Sequence, residues 1–432
     1  MFLFAVLFLG LLVFLFVFGF PVPYAIGLTS IAALIWEYGI LDIPYEIIAQ
    51  RIIYGVNNFT LLAIPFFLLA GKLMNTGGIT KRIFGFANLL VGYIPGGLGH
   101  ANILASIIFA GMSGSAVADA SGLGTIEIEA MVDEGYDVDF SAAITAASST
   151  IGPIIPPSIP MVMYGVMGDV SIAYLLMAGI IPGLLMGFCM MVMVYFYAIK
   201  RGYPRRTLPT ISEICKGLRE AFLPLLTPII LIGGMLSGIF TPTEAAAVAA
   251  LYAFVLSVFI YREVSSSDLI KVLYDTLRET AVIMFVVGTA SLYAWLLIKT
   301  QIPMVIVERI FEISRNPLVI LFILNLFWLL VGCFMETNAA IIILTPIMMP
   351  LAKLVGINPV HLGVVMVLNL MIGLLTPPIG MCLFAVCRVA HLSFDRMIKA
   401  VIPFYIPLIV SLALVTIFPQ VSLWLPRLLF SR

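Results

Sequence analysis

The residues best suited to chemistry fall into two matched sets. In the first, a polar tip, Gly111-Met112-Ser113-Gly114-Ser115-Ala116, is followed about 40 residues later by Ser148-Ser149-Thr150-Ile151-Gly152-Pro153-Ile154-Ile155-Pro156-Pro157-Ser158. The second set repeats the order with Met335-Glu336-Thr337-Asn338-Ala339 and then Gly373-Leu374-Leu375-Thr376-Pro377-Pro378-Ile379-Gly380. Hydroxyl and amide side chains beside backbone carbonyls freed at a helix end are neutral oxygen donors, suited to a small cation such as sodium. Ser113, Ser115, Ser148, Ser149, Thr150 and Gly152 are candidates for one such cage. Thr337, Asn338, Gly373 and Thr376 are candidates for its partner. An anionic substrate would sit between the tips, where helix N-termini offer amides and positive dipoles. The substrate-binding candidates are Ser115, Pro156, Ser158, Asn338 and Pro377. A single Ser or Thr in a helix commonly spends its hydroxyl on the carbonyl four residues back, so the pairing of the sets carries more than any one residue.

Carboxylates in apolar surroundings are costly and tend to be functional. Asp119 lies one helical turn past the first tip and could hold a cation, a proton or a hairpin amide. Glu336 stands at the second tip, as a helix cap or a cation ligand. Glu127 and Glu129 run into the acidic stretch Asp133-Glu134-Gly135-Tyr136-Asp137 and are expected at the membrane interface. The run Gly111-Met112-Ser113-Gly114 also matches the GxSG nucleophile motif of rhomboid intramembrane proteases, with His361 or His391 as nominal base. That reading leaves the second tip and both Pro-Pro breaks unexplained, and no enzyme activity is expected. His100, His361 and His391 lie near predicted helix ends, which suits interfacial placement. The five cysteines form no CxxC pair, so neither a metal centre nor a disulfide is expected. No GxxxxGK[ST] phosphate loop is present, so energy must come from an ion gradient. A potential of about 100 mV supplies roughly 2.3 kcal/mol per charge moved.

The elements that position these residues belong to a bilayer. Of 432 residues, 62% are hydrophobic and 10% charged, far from the composition of a soluble domain. The net charge of zero points to no nucleic acid. The chain is an all-α polytopic membrane protein, with room for roughly ten to twelve membrane helices at about 20 residues each. The run from Met1 to Phe20 has no basic leader and no cleavage site, and is expected as a retained first span. Lys200, Arg201, Arg205, Arg206, Lys216 and Arg219 mark a cytoplasmic linker over 206–224, with one repeat at 1–205 and another at 225–432. The first repeat is expected to hold a re-entrant hairpin at about 101–129 and a broken helix at about 140–167. The second is expected to hold them at about 332–353 and 362–389. Proline and glycine free backbone groups that hydrocarbon cannot satisfy, so such breaks survive only where they line a polar cavity. Two in corresponding positions point to a midplane transport site. Inverted repeats joined by a cytoplasmic linker put both termini in the periplasm, against which Arg427 and Arg432 argue mildly.

Several motifs, in order, resemble the large permease subunit (DctM type) of tripartite ATP-independent periplasmic (TRAP) transporters. They are Ala63-Ile64-Pro65-Phe66-Phe67-Leu68-Leu69-Ala70-Gly71 with Met74-Asn75-Thr76-Gly77-Gly78-Ile79-Thr80, then Ser113 to Asp119 and Pro153 to Pro160. In the second half they are Phe240-Thr241-Pro242-Thr243-Glu244-Ala245-Ala246-Ala247 and Leu375 to Gly380. The resemblance implies an inverted-repeat ion-transporter fold with an elevator motion and sodium as coupling ion, without another cofactor. It implies a bacterial inner-membrane location, a four-helix small membrane subunit and a periplasmic substrate-binding protein. Family substrates include C4-dicarboxylates, sialic acid, sugar acids and keto acids. Ser148-Ser149-Thr150 replaces glycines frequent in some sialic acid carriers, which tells against that substrate in particular. A self-sufficient sodium:anion symporter of the same superfamily would share the hairpins and breaks.

Overall fold

The protein is described here over residues 2–430 of a computed structural model, with side chains from Leu7 onward. Met1 and Arg432, both invoked above, lie outside the described residues. Every regular element among the described residues is helical.

The chain opens with α1 (Phe2–Val17), α2 (Val22–Tyr38), α3 (Tyr45–Val56), α4 (Ala63–Thr76) and α5 (Ile79–Val91). Between α4 and α5, Gly78 takes φ +67°, and the Glu263 carboxylate fills the space a side chain would need. Next, α6 (Gly97–Ser113) and α7 (Ala116–Asp133) fold back on each other at Gly114, whose φ is +63°. Then α8 (Val138–Ser149) stops short, the chain runs irregularly to Pro157, and α9 (Ile159–Gly168) resumes. The long α10 (Ile172–Arg201) completes this part.

The remainder is α11 (Ile211–Leu236), α12 (Pro242–Phe254), α13 (Ser266–Lys299), α14 (Ile302–Ile313), a second folded-back pair α15 (Pro317–Phe334) and α16 (Thr337–Val355), a second broken helix α17 (Pro359–Gly373) and α18 (Met381–Ala390), then α19 (Phe394–Val401), α20 (Tyr405–Ile417) and α21 (Gln420–Phe430). The bonds Pro156-Pro157 and Pro377-Pro378, one in each break, are both cis.

Eight described helices are long and apolar enough to cross a membrane, and five shorter apolar helices accompany them. The tally of long helices falls below ten to twelve because both broken helices and the first hairpin's α6 come in pieces too short to cross alone. The hairpins and broken helices extend beyond the expected limits: 97–133, 138–168, 317–355 and 359–390. Counting apolar residues stops at the first polar side chain, whereas the helices continue to their caps. Asn316 starts α15 by accepting from the Leu318 amide at 2.9 Å, and Gly356 ends α16 with φ +77°. The linker is likewise shorter than expected. Only residues 202–210 are irregular, because Thr210 and Glu213 form a capping box that starts α11 at Ile211, placing Lys216 and Arg219 on helix.

The two halves interlock reciprocally. Within each half the first piece of the broken helix packs on its own hairpin, α8 on α6 and α7, and α17 on α15 and α16. The second pieces cross over, α9 onto α16 and α18 onto α7. Residues 140–165 are buried almost without interruption, while α10, α11 and α15 turn Phe188, Ile229 and Phe322 outward.

Charge collects at the molecule's two ends. Near the linker, Arg201 pairs with Asp137 at 2.6 Å, Arg396 with Asp139 at 2.8 Å, Arg82 with Glu263 at 2.7 Å, and Arg206 with Glu134. The Tyr203 hydroxyl, with Arg201, holds the Asp137 carboxyl below its usual value. At the far end of α13, Lys299 pairs with Glu37 at 2.7 Å. Phe430 stacks on Tyr174, at the end of α10 remote from the linker, so Arg427 also lies away from the linker.

Candidate functional site

The first tip closes onto its own break. An added Cβ on Gly114 would lie 2.7 Å from the Pro157 carbonyl oxygen, so only a glycine fits this turn. Ser115 caps α7, its hydroxyl accepting from the Ala118 amide at 3.5 Å. The Ser113 hydroxyl donates to Asp119 and accepts from the Ser115 amide at 3.3 Å. Asp119, 2% exposed, lays its second carboxylate oxygen against Gly152, where an added Cβ would lie 2.3 Å from it. That oxygen has no hydrogen-bond partner. One carboxylate thus joins the hairpin tip to the break, and the missing side chain at Gly152 is what admits it. Cys382 of α18 packs beside Ser149 and Asp119, so the second half closes this site.

The hydroxyls of the broken helix split by direction. Ser149 and Thr150 donate to the Ala146 and Ala147 carbonyls of their own helix at 2.8 and 2.6 Å. Ser148 lies between the two directions, with Asn102 of α6 at 2.7 Å and the Thr145 carbonyl of its own helix at 3.2 Å. The Asn102 amide donates in turn to Glu127 at 2.8 Å and Thr145 at 2.7 Å. Glu127 is therefore a buried hairpin residue, 1% exposed, and not the interfacial one expected; its neighbour Glu129 is exposed. The acidic stretch beyond it was a misleading guide, because α7 runs nearly two turns past Glu127 before reaching the charged end. His100 and His361 lie in the first turn of α6 and α17 and are buried, and His391, just past the end of α18, is exposed. Ser158 caps α9 through the Met161 amide at 3.2 Å and also reaches the Pro153 carbonyl, and Pro156 is buried.

The second site is more open. Glu336 caps α16, accepting from the Ala339 amide at 3.0 Å and from the Asn338 side-chain amide at 2.8 Å. The Thr337 hydroxyl and the Asn338 carbonyl oxygen, both buried, have no partner. Gly373 crosses Gly332 so closely that a Cβ on it would lie 2.5 Å from the Gly332 Cα, and Ile379 donates its amide to the Cys333 carbonyl at 3.3 Å. Thr376 donates to the Ile372 carbonyl at 3.0 Å, and Tyr405 occupies the Leu375 carbonyl at 2.6 Å. Pro377 is partly exposed and Pro378 exposed, in contrast to the enclosed first break. Asn102 and Tyr405 were not singled out from sequence; a polar residue inside an otherwise apolar hairpin arm was the available signal for Asn102.

The chain is matched by known proteins in both sequence and fold. The profile of the family described as "Tripartite ATP-independent periplasmic transporter, DctM component" fits residues 9–421. The chain belongs to the DctM family of TRAP transporter permeases. It is 49% identical over 412 residues to the sialic acid TRAP transporter large permease protein SiaM of Vibrio cholerae, covering 95% of each chain. It is 42% identical to the C4-dicarboxylate TRAP transporter large permease protein DctM of Pseudomonas aeruginosa, covering 88% of this chain and 89% of that one. It is 40% identical to the 2,3-diketo-L-gulonate TRAP transporter large permease protein YiaN of Escherichia coli, over 95% and 96%. Among solved structures, the Alcanivorax borkumensis YdaH transporter shares the fold, with a TM-score of 0.64 at 14% identity over 96% of this chain and 98% of that one. As a DctM-family permease the chain is a multi-pass membrane transporter and not an enzyme. The protease reading of Ser113 accordingly falls: its hydroxyl goes to Asp119, while the ring of His361 bonds Ser422 at 2.8 Å.

Proposed function

We propose that this permease is the large membrane subunit of a sodium-coupled importer of a small organic acid, delivered by a periplasmic binding protein and assisted by a small membrane subunit in a bacterial inner membrane. The observation carrying the cation reading is a set of buried oxygens without partners, one at the first tip (Asp119 Oδ2) and two at the second (Thr337 Oγ1 and Asn338 Oδ1). Buried acceptors are costly to leave unmade, and a bound cation satisfies them. An acid would lie where the caps Ser115 and Ser158 and the second tip present helix N-termini. The relatives' names, sialic acid, a C4-dicarboxylate and 2,3-diketo-L-gulonate, share a carboxylate and little else, so they support an acid as cargo and select none. The reciprocal packing suits a mobile body carrying both sites in an elevator motion.

The test is uptake of radiolabelled organic acids into proteoliposomes holding the permease, its small subunit and purified binding protein. Accumulation that needs both an inward sodium gradient and the binding protein is the expected result. Uptake without the binding protein would identify a self-sufficient symporter, and uptake driven by protons alone would remove the sodium assignment.

A further inference from the structure

Ser148 and Asn369 occupy the same place in their halves, each eight residues before the first proline of its Pro-Pro pair. Both are 0% exposed, and both reach across to an asparagine on the ascending arm of their own hairpin. Ser148 donates to the Asn102 side-chain carbonyl at 2.7 Å. Asn369 donates to the Asn325 side-chain carbonyl at 2.7 Å and to its backbone carbonyl at 3.0 Å. Each link is anchored further, Asn102 by Glu127 and Thr145, and Asn325 by Thr416 of α20 at 3.0 Å, while Glu127 Oε1 and Asn369 Oδ1 have no hydrogen-bond partner.

Buried polar links between apolar arms are expensive unless fully bonded, and apolar packing would serve simple cohesion as well. Here two different residue types, a hydroxyl and an amide, make the same connection at the same position. That points to a requirement on geometry. Both links lie within the last two turns of a broken helix, just before the turn whose amides take up the final carbonyls, Ile151 and Gly152 on Ser148 and Ser149, and Leu375 and Thr376 on Ile372 and Gly373.

We propose that Asn102 and Asn369 are positioning residues that fasten each broken helix to its hairpin, so that the two cation cages are formed before the ion arrives. This rests on the cation reading above. Each acts through the fastening, by fixing the angle at which the end of α8 or α17 meets the hairpin tip. Preorganised ligands bind more tightly because less ordering accompanies binding.

The experiment titrates sodium in the proteoliposome uptake assay. Asn102→Ala and Asn369→Ala are each expected to raise the sodium concentration for half-maximal uptake about tenfold, the weight of one buried hydrogen bond. Substrate half-saturation and maximal rate at saturating sodium stay as in the unmodified protein. Thr276→Val, which removes a buried hydroxyl of α13 that bonds the Val272 carbonyl of its own helix and belongs to neither link, leaves the sodium response unchanged. Alanine variants with an unaltered sodium response, or a Thr276→Val shift as large as that of Asn369→Ala, would overturn the proposal. Should the alanine variants fail to assemble, hydrogen exchange of the unmodified permease decides. The last turns of α8 and α17 are expected to be protected without sodium, and free exchange there until sodium is added would overturn it. Loss of sodium dependence in the unmodified permease would instead count against the cation reading itself, and the exchange measurement would still test the fastening.

Discussion

At the scale of single residues, Asp119 does more than any other side chain, because its two oxygens serve different elements. One takes the Ser113 hydroxyl and the other rests on Gly152. Asp119→Asn keeps the shape and removes the charge, and is expected to raise the sodium requirement for uptake at least tenfold, with the protein still folded by size-exclusion chromatography. Gly152→Ala inserts a methyl group where the carboxylate oxygen sits, 2.3 Å from the new Cβ, and is expected to abolish sodium-dependent uptake. A sodium titration of each variant checks both. The role of Asp119 beside the tip was legible from its spacing, and its contact with Gly152, 33 positions away in sequence, was not.

At the scale of elements, stability and transport separate. The Thr241-Pro242-Thr243-Glu244 motif is a capping box: Glu244 accepts from the Thr241 amide at 2.8 Å and Thr241 from the Glu244 amide at 3.3 Å. Thr241→Ala is therefore expected to lower the thermal unfolding temperature without moving the sodium response. By contrast, Gly373→Ala presses a methyl group onto the Gly332 backbone, and should cost about 1–3 kcal/mol of overpacking, read as a fall in thermal stability together with lost uptake. At the linker end, Asp137 has a lowered folded value. Its contribution is complete at neutral pH and is lost as pH falls through that value, so Tyr203→Phe should flatten the acid side of a stability-versus-pH curve. The hairpins and breaks were readable because Gly and Pro punctuate the apolar runs, while the short helices α3, α5, α14 and α19 were not. The element lengths were not, since caps rather than hydropathy end a helix.

At the scale of the whole molecule, α13 fixes the two faces. Its 34 residues span about 50 Å at 1.5 Å per residue, from the linker end, where Glu263 pairs with Arg82, to Lys299 beside Glu37. Lys81, Arg82, Arg201, Arg205 and Arg206 gather at the linker end, which the positive-inside rule assigns to the cytoplasm. A cysteine at Arg205 should then react with an impermeant thiol reagent only from the cytoplasmic side, and one at Leu41, 94% exposed in the turn after α2, only from the periplasmic side. The reverse pattern would invert the topology.

The sequence by itself determined the membrane class, the two hairpin-and-break sets, the permease family and the residue types at each tip, because composition, Pro-Pro breaks and hydroxyl-rich tips are local properties. Only the tertiary structure decided that α9 and α18 exchange partners between halves, that Glu127 is buried against Asn102, and that Ser148 reaches Asn102 of the hairpin while Ser149 and Thr150 bond carbonyls of their own helix. The direction of a side chain on a helix that stops mid-membrane depends on which neighbour lies across from it, and that neighbour is supplied by a segment tens to hundreds of residues away.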